Sequence, residues 1–134
     1  MISQDEWKWF GNAGHFICGP HCRFHLATLV GNYFVSTVGE LFYIYKCQGG
    51  DEAEAKYIEE VWPGEDIGFN RKYETMVFDA SCGTVCTEEK CNCGIPRPKN
   101  MQELEMNGYQ TAGEATKGHY ELCLKYAKEI LNNA

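Results

Sequence analysis

The sequence predicts an α+β domain: a small antiparallel sheet of three to four strands, carrying a C-terminal amphipathic helix and tied together by cysteine- and histidine-rich loops. Three observations predict it. Residues 26–47 are dense in branched and aromatic side chains and are broken by a Gly-Asn pair, the pattern of strands joined by a tight turn. The last twenty-odd residues repeat apolar side chains with a helical period behind a capping signal. Most of the cysteines and histidines fall in two short clusters rather than being scattered. With 134 residues the chain fits one domain, residues 1–134, long enough to bury roughly two thirds of its unfolded surface.

Taken in order, residues 5–10 bring Trp7, Trp9 and Phe10 beside Asp5 and Glu6, which reads as a terminal segment pinned to the core rather than a ligand-stacking surface. Gly11-Asn12-Ala13-Gly14 breaks any regular element. The stretch His15–His25 then holds three of the four histidines and two of the eight cysteines. His15, Cys18, Cys22 and His25 are spaced three, four and three apart, but Gly19-Pro20 disrupts a continuous helix. A short turn beginning at Pro20 would carry Cys22 and His25 at i, i+3.

Leu26–Val30 and Tyr33–Val38 read as two strands of a hairpin around Gly31-Asn32, where glycine in first place suits a type II′ turn. Gly39-Glu40 is expected to interrupt, with a further strand over Leu41–Cys47. Asp51–Val61 has an acidic first turn and apolar positions suited to a short exposed helix, stopped by Trp62-Pro63-Gly64. Tyr73–Phe78 is a central strand, and Ile95–Lys99 an extended linker. Thr111-Ala112-Gly113-Glu114 is a capping box that opens the last helix. Ala115, His119, Leu122, Cys123, Tyr126 and Ile130 share one face of it, away from Lys117, Glu121, Lys125 and Lys128.

Neutral imidazole and thiolate are the side chains that bind zinc, and clusters of them point to a metal or to disulfides. The N-terminus shows no basic region, apolar run or small-residue cleavage site, so no signal peptide is expected. Nor does any segment reach the ~18 apolar residues of a membrane span. A reduced, cytoplasmic chain follows, in which clustered cysteines favour zinc over disulfides or free thiols. Cys91 and Cys93 are too close to bridge each other easily, whereas neighbouring knuckle positions both reach a metal. The candidate ligands are Cys18, Cys22, His25, Cys86, Cys91, Cys93, His119 and Cys123, with Cys82 and His15 behind them. His119 and Cys123 are also compatible with a satisfied histidine and a thiol on an apolar face. Cys47 reads as a core thiol and His21 as solvent-facing. The ligands of the His15–His25 stretch cannot surround one ion alone, so the 82–93 loop or the last helix is expected to complete the site.

A net charge of −7 excludes the basic footprint of generic nucleic-acid binding, and the Cys86–Cys93 loop sets Glu88 and Glu89 against Lys90. It suits solubility, or a protein partner with a basic surface. Cys18-Gly19-Pro20-His21-Cys22 has one residue too many for a dithiol redox motif. The remaining enzymatic reading is a hydrolase-like zinc site of Cys and His ligands with Glu40 as general base. The deaminase, metalloprotease and nucleophile-elbow motifs are absent from the sequence.

Ala13-Gly14-His15-Phe16-Ile17-Cys18-Gly19, Cys22-Arg23-Phe24-His25, Val35–Glu40, Tyr73–Phe78, Cys91-Asn92-Cys93-Gly94 and Gly118-His119 together resemble a group of small uncharacterised Cys/His-rich proteins encoded in bacteriophage genomes. The likeness runs over roughly residues 7 to 126, with 48–70 as a variable insert. It implies a phage protein at work in the bacterial host cytoplasm, and carries no chemistry. With the acidic composition, it leads to the expectation of a zinc-stabilised protein that binds and modulates a host or phage protein.

Overall fold

In a computed structural model, residues 6–10, 22–41, 66–67, 70–81, 85, 94–100 and 102–132 are described. They form strands β1 (Lys8–Phe10), β2 (Cys22–Val30), β3 (Tyr33–Leu41), β4 (Tyr73–Asp79) and β5 (Glu105–Tyr109), followed by helix α1 (Ala112–Asn132). The sheet is a meander in chain order, β1-β2-β3-β4-β5, and each neighbouring pair is antiparallel. The class is therefore α+β, with five strands where three to four were expected.

The β2–β3 turn is the expected one. Val30 pairs with Tyr33, and Gly31 alone takes a positive φ, 60°, as a type II′ turn requires. Gly39-Glu40 does not interrupt the strand as expected: β3 continues to Leu41. Its pairing with β4 runs unbroken from Tyr33–Asp79 to Gly39–Tyr73. Gly39 has a reason to be there, since a Cβ at that position would overlap the Tyr73 ring. The absence of that Cβ lets Phe24 and Tyr73, on the flanking strands, meet edge to face at 5.0 Å and 81°. Of the expected strand over Leu41–Cys47 only Leu41 is described; the expected Asp51–Val61 helix lies outside the described residues.

Strand periodicity gives the sheet two faces. On one, Trp7, Val30, Val35 and Val77 pack with Leu122, Cys123, Tyr126 and Ala127 of α1. On the other, Ala27, Phe34, Phe78, Ala80 and Ile95 make a second cluster. Full burial of each large side chain contributes roughly 1.5–3 kcal/mol, so both faces stabilise the sheet. Glu74 also lies on the second face, 6% exposed. Arg71 meets it at 3.0 Å by lying across Gly108 of β5, where a Cβ would overlap its side chain. Burial raises the Glu74 carboxyl above its ordinary range, against the pull of Arg71.

α1 begins at the capping box. Thr111 Oγ1 accepts from the Glu114 amide at 3.1 Å and donates to the Glu114 carboxylate at 3.0 Å. Of its expected inner face, Ala115, His119, Leu122, Cys123 and Tyr126 are buried, with Lys117, Glu121, Lys125 and Lys128 exposed. At the β5 side, Lys125 and the Tyr126 hydroxyl both donate to Glu105, at 2.7 and 3.0 Å. The Lys125 bond comes first among the causes that hold the Glu105 carboxyl below its ordinary range. Among the described residues no helix is long and apolar enough to cross a membrane.

Two helix glycines test this packing. Gly113 faces open space, whereas a Cβ at Gly118 would overlap the Tyr109 ring and hydroxyl. Replacing a helical glycine by alanine ordinarily stabilises by up to about 1 kcal/mol. Gly113→Ala is expected to follow that rule. Gly118→Ala is expected to reverse it, costing roughly 1–3 kcal/mol through overpacking. Urea unfolding of the two variants measures both signs.

Candidate functional site

At the centre of the interface between sheet and helix, the sequence buries polar groups instead of hydrocarbon. Thr28, Thr37, Thr75 and Cys123 are 0% exposed and His119 is 1% exposed. The threonines come from three adjacent strands on the face beneath α1, with Thr37 directly opposite Thr75. His119 reaches down between them. Its Nε2 lies 2.8 Å from Thr28 Oγ1 and its Nδ1 2.7 Å from Thr37 Oγ1. Thr37 and Thr75 share a further hydroxyl–hydroxyl bond of 2.5 Å. A neutral imidazole offers one donor and one acceptor, and hydroxyls supply either, so both ring nitrogens are satisfied. Burial pushes His119 down to about 4. Burial also pushes the Cys123 thiol up to about 12, against an opposing hydrogen bond with Thr28.

These two residues were metal candidates from the sequence, and the fold does bring them together. Among the described residues, the polar groups bonded to His119 are threonine hydroxyls. A zinc ligand must be a thiolate or a free imidazole nitrogen. Among the described residues, both nitrogens of His119 are bonded to threonine hydroxyls, and burial disfavours the thiolate form of Cys123.

Cys22 and His25 start β2. They lie on one extended strand, which differs from the single turn expected after Pro20. Cys22 is buried with Val38, Leu41 and Ile67, and His25 Nε2 bonds the Cys22 carbonyl at 2.6 Å. Cys18, Cys86, Cys91 and Cys93 lie outside the described residues, as do His15, His21, Cys47 and Cys82. Among the described residues no group of three His, Cys, Asp or Glu side chains is placed to hold a metal ion. The framework does show where the cysteine-rich stretches join it. Cys22 stands at the sheet end formed with Leu41. Ala80 and Lys99, which flank the 82–93 stretch, are bonded at the opposite end, to Asn32 and Asp79. The seven residues of β4 separate those ends by roughly 20 Å.

Glu40, the candidate general base, sits near the Cys22 end with φ at 56°, unusual for a residue with a side chain. Its Oε1 is 3.5 Å from the Arg23 guanidinium, and its Oε2 accepts from the Tyr73 hydroxyl at 2.8 Å. Burial, with Glu40 adding to it, pushes that hydroxyl up to about 12. Through these two contacts Glu40 of β3 is joined to Arg23 of β2 and Tyr73 of β4.

One further cluster went unread in the sequence. Trp7 is buried as expected, yet Trp9 is 51% exposed and Tyr120 of α1 39% exposed beside it. The Trp7 ring lies 6.3 Å from Trp9 and 5.8 Å from Tyr120. Tyr120 had no signal of its own, since it flanks rather than continues the apolar stripe. Comparison with protein-family models, curated proteins and solved structures finds no match in any of the three.

The His119 network has a pH signature. With its folded value about 4 and its ordinary value 6.5, the unfolded state binds the proton more readily between them. Stability from this group is full above 6.5 and is lost as pH falls toward 4. The loss is on the order of 3 kcal/mol. His119→Gln is expected to flatten the fall in unfolding free energy across that window relative to the unsubstituted chain, measured by urea unfolding at a series of pH values.

Proposed function

We propose that this is a small acidic protein of phage type, stabilised by structural zinc, that binds and modulates a host or phage protein with a basic surface in the bacterial cytoplasm. The observation that carries the binding part is the pair of half-exposed aromatic rings, Trp9 and Tyr120, on a chain with net charge −7. Large aromatic side chains left open to solvent, and backed by a rigid core, are typical anchors of protein interfaces. Net negative charge steers such a surface toward a basic partner and away from phosphate backbones.

Cysteine spacing supports the zinc part. Cys86, Cys91 and Cys93 form a knuckle-like run, and Cys18, Cys22 and His25 supply a second set. On this reading the two sets together supply the four or more ligands that a closed site needs. His119 and Cys123 serve the core. A closed four-ligand site contributes on the order of 10–16 kcal/mol of apparent binding energy, as much as a whole domain's net stability. Such a site stabilises loops without opening a coordination position to substrate, which sets this reading apart from a zinc hydrolase.

Metal content tests it. Native and denaturing mass spectra of reduced protein should differ by the mass of bound zinc, and a chelator should unfold the chain. Cys91→Ser is expected to lose zinc, whereas Cys123→Ser keeps it and is less stable by roughly 1–3 kcal/mol. A reduced preparation without metal contradicts the zinc reading outright.

A further inference from the structure

The chain treats the two edges of its sheet differently. β1 is three residues long and opens with the exposed Lys8. Shortness and an edge lysine are ordinary means of keeping a strand from pairing further. β5 has five residues, Glu105–Tyr109, with no proline and no lysine among them. Among the described residues, β4 is its one neighbour in the sheet. Met106, Asn107 and Gly108 in its middle are exposed. Glycine has no side chain, so exposure at Gly108 is exposure of the backbone, and an edge strand turns alternate N–H and C=O groups away from its sheet. Met106 lies opposite Met76, on the face of the second cluster, and is 38% exposed. Leu104, just before the strand, is 52% exposed. Charge along this edge is uneven. Arg71 is paired with Glu74 at 3.0 Å and Lys125 with Glu105 at 2.7 Å. Glu103 is exposed and has no ion pair among the described residues. It stands close enough to Glu74 to add to the upward push on that buried carboxyl. The exposed Lys72 is at the other end, its amide bonded to the Tyr109 carbonyl at 3.1 Å.

We propose that the outer edge of β5 takes an extended segment of a protein partner as a further antiparallel strand, with apolar side chains against Leu104 and Met106 and a basic residue at the segment's C-terminal end beside Glu103. This rests on the reading above that the partner's surface is basic, and adds a backbone-held contact at the opposite edge of the sheet from Trp9. In such strand addition the main-chain hydrogen bonds supply affinity and the alternating side chains supply specificity. An antiparallel segment sets its C-terminal end beside Glu103 and keeps that basic residue away from Lys72. A second copy of the chain is a poorer occupant. Two edges of about 17 Å, five residues each, fall well short of the ~1,200 Å² that a stable interface buries. Two chains of net charge −7 also repel each other, whereas a basic segment is attracted.

The test titrates the 134-residue chain with a short peptide of alternating valine and threonine that ends in arginine, following backbone amide signals and hydrogen exchange. Its companions are the same peptide N-methylated at every amide, one ending in glutamate, and a glycine-spaced arginine peptide. The first is expected to bind, to shift the amide signals of Glu105–Tyr109 and to slow their exchange. N-methylation should abolish binding, and a terminal glutamate should weaken it. Met106→Lys should weaken binding about ten-fold by setting a charge in the apolar contact. Glu103→Gln should weaken it about three-fold, and both variants should unfold close to the unsubstituted chain's midpoint. Trp9→Ala, at the opposite edge, should leave it unchanged. Binding that survives N-methylation, or is undiminished in Met106→Lys, overturns the edge. Should the glycine-spaced peptide still bind in that event, the basic-partner reading stands; failure of every basic peptide overturns both. Equal binding of the glutamate peptide overturns the basic contact at Glu103, and self-association that Met106→Lys abolishes makes a second copy the occupant and overturns the partner.

Discussion

The helix is held in register on the sheet by one imidazole. His119 is the point at which α1 meets β2 and β3 through hydrogen bonds, and through Thr37 it reaches β4 as well. Apolar contacts are tolerant of small slides, but a ring with two nitrogens set between two fixed hydroxyls is not. A shift of α1 by one residue rotates its face by about 100° and would take the imidazole away from Thr28 and Thr37, the two buried hydroxyls it bonds. Other placements follow from this one. With His119 seated, Gly118 meets the Tyr109 ring, Tyr120 stands against Trp7, and Lys125 and Tyr126 reach Glu105.

That arrangement divides the chain's soft ligands between two tasks. Cys123 and His119 lie in a hydrogen-bonded interior whose burial disfavours the charged form of each. The metal proposal therefore rests on the cysteines nearer the sheet ends, where fastening loops to a rigid frame is the natural role of a closed zinc site. Glu40 has a similar fastening role within the sheet, joining Arg23 of β2 to Tyr73 of β4.

Local signals in the sequence were legible where local physics decides the outcome. The Gly31 turn, the Thr111 cap and the inner face of α1 each depend on residues within a few positions of one another. β5 was not legible: Glu-Met-Asn-Gly-Tyr has an asparagine and a glycine where a strand usually has branched or aromatic residues. Gly108 makes sense only once Arg71, far off in sequence, is seen lying across it toward Glu74. Gly39-Glu40 misled for the same reason, because the space that glycine leaves is filled by Tyr73. The spacing of His119 and Cys123 was read correctly as one buried face. Their chemistry depended on threonines 82 and 91 residues away from His119, and no helical period carries that. The remaining cysteines that the zinc expectation rests on lie, Cys22 apart, outside the described residues.

The role of His119 as a neutral core fastener is open to direct observation by nitrogen-15 NMR of its imidazole near neutral pH. The account predicts one protonated and one unprotonated ring nitrogen, a slowly exchanging ring proton, and signals that stay the same when zinc is added to the folded protein. An imidazolium with both nitrogens protonated at neutral pH, or a ring nitrogen that shifts as zinc binds, would contradict it.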